Sequence, residues 1–175
     1  MRTIPAFLSL IASLALQAPA FAHGEPGPDE DEVKDSIAQV RRVTAAFHDL
    51  RVAQDAGYNR FLDCIDEPGE GGMGIHYLNG VLAGDAVVDP LKPEALVYAP
   101  NKQGRLQLVA VEYIVFQDAW DAQNAQPPML FGHPFHLIRA PNRYSVPAFY
   151  ELHLWVWKHN RNGIFNDWNP AVRCR

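Results

Sequence analysis

The stretch RLQLVAVEYIVF, Arg105 to Phe116, decides the fold class, because it is a long run of strand-forming residues with no proline or glycine inside it. Side chains of a strand point alternately to its two faces. One face is therefore predicted to carry Leu106, Leu108, Ala110, Glu112, Ile114 and Phe116. Glu112 is the only ionisable residue of this row, and burying a lone carboxylate is costly. We expect Glu112 to meet a hydrogen-bond donor, a cation or a metal ion, or to stay protonated.

A second long strand is predicted from Ala148 to His159 and contains ELHLWVWKH. Alternation places its ionisable and aromatic residues on one face, namely Glu151, His153, Trp155, Trp157 and His159. Shorter strands are predicted at Gly74–Leu78 and Ala95–Ala99, between prolines and glycines that end them. The segment DAQNAQPPMLFGHPFH, Asp121 to His136, is predicted to be a long loop that covers the mouth of a pocket.

An amphipathic helix is predicted from about Asp31 to Ala56. Its apolar residues recur at intervals of three and four and form one stripe, made of Val33, Ile37, Val40, Val43, Phe47 and Leu50. Acidic residues lie at its start, where they favour the helix dipole, and Gly57 follows its end. The pattern predicts an α+β fold with this N-terminal helix packed on a mainly antiparallel β-sheet, a roll being one form of such a layer.

The first 22 residues have the three parts of a cleaved secretory signal. Arg2 precedes an apolar run from Ile4 to Leu16, and Ala20 and Ala22 match the small residues of a cleavage site. The predicted organisation is a signal peptide at 1–22, a flexible acidic tail at 23–30 and a single α+β domain at 31–175. The apolar run is too short for a bilayer span, so we expect no membrane span after cleavage and a secreted or periplasmic protein.

The two cysteines, Cys64 and Cys174, are predicted to form a disulfide. An exported protein meets an oxidising compartment, and neither cysteine has the spacing of a zinc or redox motif. Two free thiols are the alternative. The bridge would close a loop of about 110 residues and restrict the unfolded chain accordingly.

Charge argues against a nucleic-acid partner. The precursor carries 15 Lys and Arg against 20 Asp and Glu, a net charge of −5, which becomes −6 when Arg2 leaves with the signal. Binding to a phosphate backbone calls for a basic stripe, which this composition does not favour. The expected partner is a small molecule or a metal ion.

The stretch GGMGIHYLNG, Gly71 to Gly80, places His76 on a short, apolar strand. If the strands pair with these faces inward, His76 meets Glu112 and His153. Two imidazoles and one carboxylate suit a divalent transition metal such as iron, copper or zinc, and leave coordination positions open. Aromatic and polar residues on the same segments are predicted to line a ligand pocket: Tyr77, Tyr113, Trp155, Trp157 and His133.

Other interpretations of these residues stay open. Each histidine has an ordinary explanation as a half-buried side chain that donates to a backbone carbonyl, and Glu112 has one as the partner of an arginine. The same pocket without metal could orient a small ligand or move a proton. A metal-dependent oxidoreductase or hydrolase is a further alternative. An envelope interaction module without metal is another, and it would leave His76 and His153 apart on the solvent side.

Processing raises one separate possibility. Cleavage after Ala22 leaves His23 at the N-terminus, where its amine and imidazole could together chelate copper. A disordered tail is the simpler interpretation.

The motifs GMGIHYLN, DPLKPEALVYAP, VAVEYIVF, LFGHPF, ELHLWVWKHN and GIFNDWNPAVRC occur in this order. Together they resemble a family of secreted bacterial proteins with no known activity, and the resemblance extends from about Gly57 to Cys174. It implies that His76, Glu112, His153 and Cys174 lie in the family's characteristic segments. It implies no reaction.

Overall fold

The computed structural model describes residues 28–174. The predicted signal peptide, most of the acidic tail and His23 lie outside the described residues. Within the described range, no helix combines the length and the apolar character needed to cross a membrane.

The helical region is divided, whereas the sequence predicted one helix over residues 31–56. Helix α1 spans Glu30–Thr44, a 3₁₀ turn spans Ala45–His48, and α2 spans Leu50–Asp55. The break has a local cause: Asp49 is extended, and its side chain accepts a hydrogen bond from the Arg51 backbone N–H, so it begins a new helix as its N-cap. Asp29 caps α1 in the same way.

The sheet is antiparallel throughout and curls into half a barrel. Its six strands follow the spatial order β1-β2-β3-β4-β8-β7. These are β1 Asn59–Glu67, β2 Gly71–Leu78, β3 Ala95–Pro100, β4 Leu106–Phe116, β8 Phe149–Leu154 and β7 His136–Ile138. Two short helices, α3 Gly80–Ala83 and α4 Gln117–Asp121, lie in the connections. The predicted α+β class with an antiparallel sheet is confirmed, and the roll stays a prediction.

Two predicted elements are wrong in extent. The segment 121–136 is not a plain loop, because a small hairpin forms there from β5 Met129–Leu130 and β6 His133–Pro134. The strand predicted over residues 148–159 ends at Leu154. Beyond that point the Trp155 backbone N–H donates to Ile164, outside the sheet, so the chain leaves the ladder. Strands β1 and β7 were not predicted.

The predicted facing of β4 is wrong for its first half. The register of β4 with β3 shifts between Val97 and Tyr98, which pair with Ala110 and Leu108. The extra residue, Val109, forms a bulge, and a bulge reverses the alternation on either side of it. Leu108 therefore lies with Tyr113 and not with Glu112.

The two faces of the sheet carry different side chains. One, which we call the tyrosine face, carries Tyr77, Leu96, Tyr98, Tyr113 and Leu152, and Val40 of α1 lies in the same apolar cluster. The opposite face, which we call the site face, carries His76, Ala95, Val97, Glu112 and His153.

The C-terminal segment, residues 160–174, returns to the site face. Gly72 and Asn169 exchange backbone hydrogen bonds, and Val172 packs with Val97 in the core of that face. Cys64 of β1 and Cys174 form the predicted disulfide, with Cα atoms 5.3 Å apart. The bridge fixes the end of the chain beside β2.

Candidate metal centre

Three strands bring His76, Glu112 and His153 together on the site face. Glu112 of β4 and His153 of β8 are direct cross-strand partners. His76 belongs to β2, which is separated from β4 by the single strand β3. In β3, Ala95 is the residue that pairs with Glu112. Paired residues share a face, so alternation alone directs all three side chains to the same side. Because Ala95 ends at Cβ, the longer side chains of His76 and Glu112 can meet above it.

The separations between the polar atoms suit a shared ion. His76 Nε2 lies 3.2 Å from His153 Nε2 and 3.4 Å from Glu112 Oε2. One candidate ligand atom from each residue lies within 4.8 Å of the other two, and the third pair is the widest: His153 comes closest to Glu112 through Nδ1, which lies 3.7 Å from Oε1. Two ligands bound at about 2.0–2.1 Å to one ion are about 2.9 Å apart at a right angle and about 3.4 Å apart at the tetrahedral angle. Both separations from His76 Nε2 fall in this interval.

Burial determines the protonation of these groups. His76 and Glu112 are each 3% exposed and His153 is 0% exposed. Burial lowers the pKa of His76 to about 4 and lowers the pKa of His153 well below its usual value. Burial, with a further contribution from the charge of Glu151, raises the pKa of Glu112 well above its usual range. Without a cation, the group therefore favours neutral imidazoles and a protonated carboxyl, and not an ion pair.

Two further carboxyl groups surround the site. Glu151 of β8 is buried, lies within hydrogen-bonding reach of Glu112, and has its pKa raised to about 7 by burial. Asp167, from the C-terminal segment, places Oδ1 3.8 Å from His153 Nδ1 and Oδ2 3.5 Å from His136 Nδ1. Burial also raises the pKa of Asp167. A divalent cation would relieve the crowding of these acidic groups.

Some buried polar atoms at the site lack partners. Among residues 28–174, His76 Nδ1, His153 Nδ1 and Asp167 Oδ1 are buried without a hydrogen bond. Buried polar groups in folded proteins are nearly always paired, so three exceptions at one place call for an explanation. A metal on both Nε2 atoms would make each Nδ1 a hydrogen-bond donor, and the Nδ1 of His153 would then face the acceptor Asp167 Oδ1.

A small cavity adjoins the three residues. Its volume is about 30 Å³, and His76 and Glu112 belong to its wall. Ala95, Ile114 and Phe149 supply apolar parts of the same wall. Of the three candidate ligand residues, His76 and Glu112 line the cavity and His153 does not.

Three of the predicted pocket residues lie away from the cavity. Tyr77 and Tyr113 each follow a site residue by one position, so alternation directs them to the tyrosine face. His133, on the hairpin, is exposed and has its ring 4.0 Å from that of Phe165. These three residues do not line the cavity beside the metal group.

The two tryptophans differ from each other. Trp155 is buried beside the site and stacks on His153 with ring centroids 6.3 Å apart, although it lies beyond the end of β8. Trp157 packs in the cluster of the tyrosine face, and its Nε1 donates to Thr44 Oγ1 at 3.2 Å. They were predicted to share a face, but the strand ends before either of them, so alternation no longer applies.

Sequence reasoning did not assign Glu151, Asp167 or His136 to the site. Glu151 could have been found, because it precedes His153 by two residues on one strand and therefore shares its face. Asp167 had no such signal, because it arrives from a segment without regular structure. His136 ends the segment that was predicted to cover the mouth of a pocket, and its side chain is exposed while its Nδ1 lies 3.5 Å from Asp167 Oδ2.

The chain was compared with protein-family models, with curated proteins and with solved structures, and none of the three comparisons gives a match. The interpretation of the centre therefore rests on its own geometry.

Proposed function

We propose that this protein binds one divalent transition-metal ion through His76, Glu112 and His153. The observation that carries the proposal is the spacing of the donor atoms: His76 Nε2 is 3.2 Å and 3.4 Å from the other two ligands. These are separations that a single ion imposes on its ligands. Neutral imidazole nitrogens and one carboxylate oxygen suit iron, copper or zinc better than magnesium or calcium.

The surroundings support a metal over an ordinary hydrogen-bonded cluster. A hydrogen bond between the two Nε2 atoms would satisfy one donor and one acceptor, but it would leave the buried Nδ1 of His153 unpaired. A bound ion orders the whole group, because it fixes both tautomers and gives His153 a donor that faces Asp167. Asp167 is then a positioning residue for His153. Its other carboxylate oxygen, Oδ2, lies 3.5 Å from His136 Nδ1.

Metal analysis of the purified mature chain tests the proposal. Apoprotein is incubated separately with Fe(II), Co(II) and Zn(II), freed of excess ion, and assayed for bound metal by mass spectrometry. We expect one ion per chain, lost in His76→Ala and in His153→Ala. The matched control is His159→Ala, which removes an exposed imidazole and should leave the metal content unchanged.

Circular dichroism of each variant separates loss of metal from loss of fold. Glu112→Gln provides a second test, since it keeps the size of the side chain while removing the anionic ligand. Negligible metal in the folded wild-type protein, or equal metal in the folded variants and the wild type, would show the proposal to be wrong.

A metal-dependent enzyme is the second candidate, favoured by the cavity beside His76 and Glu112. Three protein ligands leave coordination positions for water or substrate, as oxidation or hydrolysis requires. Oxygen uptake and ester hydrolysis should then cease with a chelator and return with one particular metal. If neither oxygen uptake nor ester hydrolysis is detected with any bound metal, this candidate is contradicted. An interaction module has no comparable support, because His76 and His153 are buried and in contact.

We also propose that the protein works in the periplasm or outside the cell, where the Cys64–Cys174 disulfide persists. Helix α1 then covers the tyrosine face, since Val40 lies in that cluster, and the site face remains for the ligand. N-terminal sequencing of the exported protein checks the location: the expected first residue is His23, and a retained N-terminus would contradict it.

A further inference from the structure

A second, wider groove lies between the turn that joins β3 to β4 and the C-terminal segment. Its floor is apolar and is formed by the buried residues Ala99, Val109 and Val172. The volume of about 760 Å³ lies within the range of roughly 300–1,000 Å³ that is usual for ligand pockets. None of the three candidate metal ligands lines this groove. Because the groove is open to solvent, its charge says more about an occupant than its size does.

Every ionisable residue that lines the groove is a cation. These residues are Lys102 in the β3–β4 turn, Lys158 beyond the end of β8 and Arg173 in the C-terminal segment. Within residues 28–174, the ion pairs form at other lysines and arginines, and none of these three has a carboxylate partner. Asp66, which accepts from the Cys174 backbone N–H, is not a lining residue. The charge of this groove is thus opposite to that of the whole chain, which has 15 Lys and Arg against 20 Asp and Glu.

The backbone holds two of the cations in place. The carbonyl of Val109, the bulge residue of β4, accepts a hydrogen bond from the Lys158 backbone N–H at 3.1 Å. Arg173 lies between Val172, which is 1% exposed, and Cys174, which belongs to the disulfide. The bulge and the disulfide therefore fix where these two side chains begin, and this reduces the entropy that a ligand would have to remove.

The polar groups of the groove are mainly hydrogen-bond donors. Asn101, a lining residue, accepts with Oδ1 from the backbone N–H groups of Gln103 and Arg105, so its NH₂ group is left to donate. The carbonyl of Val109 already accepts two backbone hydrogen bonds. The guanidinium of Arg173 has paired N–H groups that match two oxygens of a carboxylate or a phosphate. Donors and positive charge together suit an oxyanion.

We propose that this groove binds a small soluble polyanion, namely an organic molecule that carries at least two phosphate or carboxylate groups. Three cations from three separate segments call for more than one anionic group. The apolar floor suits the carbon skeleton of such a molecule. This binding needs no metal ion and does not depend on the proposed function.

Equilibrium dialysis with labelled fructose 1,6-bisphosphate tests the proposal. The mature chain is first freed of metal on a chelating resin, so that the phosphates cannot bind through an ion. We expect the bisphosphate to bind about tenfold more tightly than fructose 6-phosphate, since it makes one more charge-assisted contact, and we expect no binding of fructose. Higher ionic strength should weaken binding, because the groove is open to solvent.

Three variants and one control test the role of the cations. Lys102→Gln and Arg173→Gln should each weaken bisphosphate binding by about tenfold. Lys158→Met keeps most of the side-chain stem and should have the same effect. The matched control is Arg143→Gln, which removes an exposed cation outside the groove and should leave the affinity unchanged. Because Lys102 and Arg173 are exposed, their variants keep the test decisive if Lys158→Met fails to fold.

The outcomes also separate this proposal from the metal centre. No binding of the bisphosphate, or equal affinity for bisphosphate and fructose, overturns it. Equal affinity in the folded Arg173→Gln and Arg143→Gln variants overturns it as well. Vesicles of anionic phospholipid and a single-stranded oligonucleotide serve as competitors: binding of either one without binding of the bisphosphate would assign the groove to a membrane or to a nucleic acid, and would also overturn the proposal. Metal analysis decides the proposed function independently of all these results.

Discussion

Glu94 offers a prediction whose size follows from the structure. The side chain is 1% exposed, and its Oε2 accepts a hydrogen bond from the Ile114 backbone N–H at 2.9 Å. Burial raises the pKa of Glu94 from 4.5 to about 8, and the hydrogen bond from Ile114 opposes this only in part. Between these two values the folded protein holds a proton that the unfolded chain has lost. Stability from this group is therefore complete below pH 4.5 and falls as the pH rises towards 8.

Glu94→Gln removes the titration and keeps an oxygen to accept from Ile114. Proton linkage with these two pKa values lowers the unfolding free energy of the wild-type protein relative to its value at low pH, where Glu94 is protonated in both states. The loss is about 1 kcal/mol at pH 5, about 3 kcal/mol at pH 7 and about 5 kcal/mol at pH 9. The difference in unfolding free energy between Glu94→Gln and wild type should thus shift in favour of the variant by about 4 kcal/mol from pH 5 to pH 9.

Urea unfolding at the three pH values, with a chelator present to keep the site free of metal, measures this difference. The matched control is Glu70→Gln, which makes the same chemical change on an exposed side chain and should alter stability little. Parallel pH profiles for the wild type and Glu94→Gln would refute the reasoning, because they would show that the buried carboxyl titrates alike in the folded and unfolded chains.

Three other predictions concern the site and the backbone. Asp167→Asn should weaken metal binding by about 10- to 100-fold in competition with a chelator, while the exposed control Asp63→Asn should not; equal affinities would remove the positioning role of Asp167. Cys64→Ser opens a loop with a sequence separation of 110 and should lower the unfolding free energy by about 5 kcal/mol in urea; an unchanged midpoint would contradict this. Gly74→Ala should be more destabilising than Gly104→Ala by about 1–3 kcal/mol in thermal unfolding, because both residues have positive φ but only the first would place a Cβ 2.6 Å from a valine methyl; equal losses would count against it.

The side chains of the centre could be chosen from the sequence because alternation is a local property. A strand repeats every two residues, so an ionisable residue in an apolar row is visible without coordinates, as Glu112 in VAVEYIVF and His153 in ELHLWVWKH show. The cysteine pair could be predicted for a similar reason, since two cysteines have one possible partner each. The apolar stripe predicted the helical region. It did not predict the break at Asp49, because that break depends on a single capping side chain.

Other features depend on partners that are distant in the chain, and local patterns do not contain them. The bulge at Val109 arises from a mismatch in residue count between β3 and β4, so the predicted facing of Leu108 was wrong although its alternation was regular. Strand β8 ends where the backbone N–H of Trp155 donates to the carbonyl of Ile164, which lies outside the sheet.

The sequence by itself determined an α+β chain with a disulfide and three candidate ligand residues in apolar strands, because residue type and the two-residue period of a strand are local properties of the chain. Only the tertiary structure decided that His76 and His153 lie 3.2 Å apart, that Asp167 arrives behind His153, and that the space beside them is about 30 Å³. Distances and volumes between elements depend on register, curl and packing, which many residues fix jointly and none specifies alone.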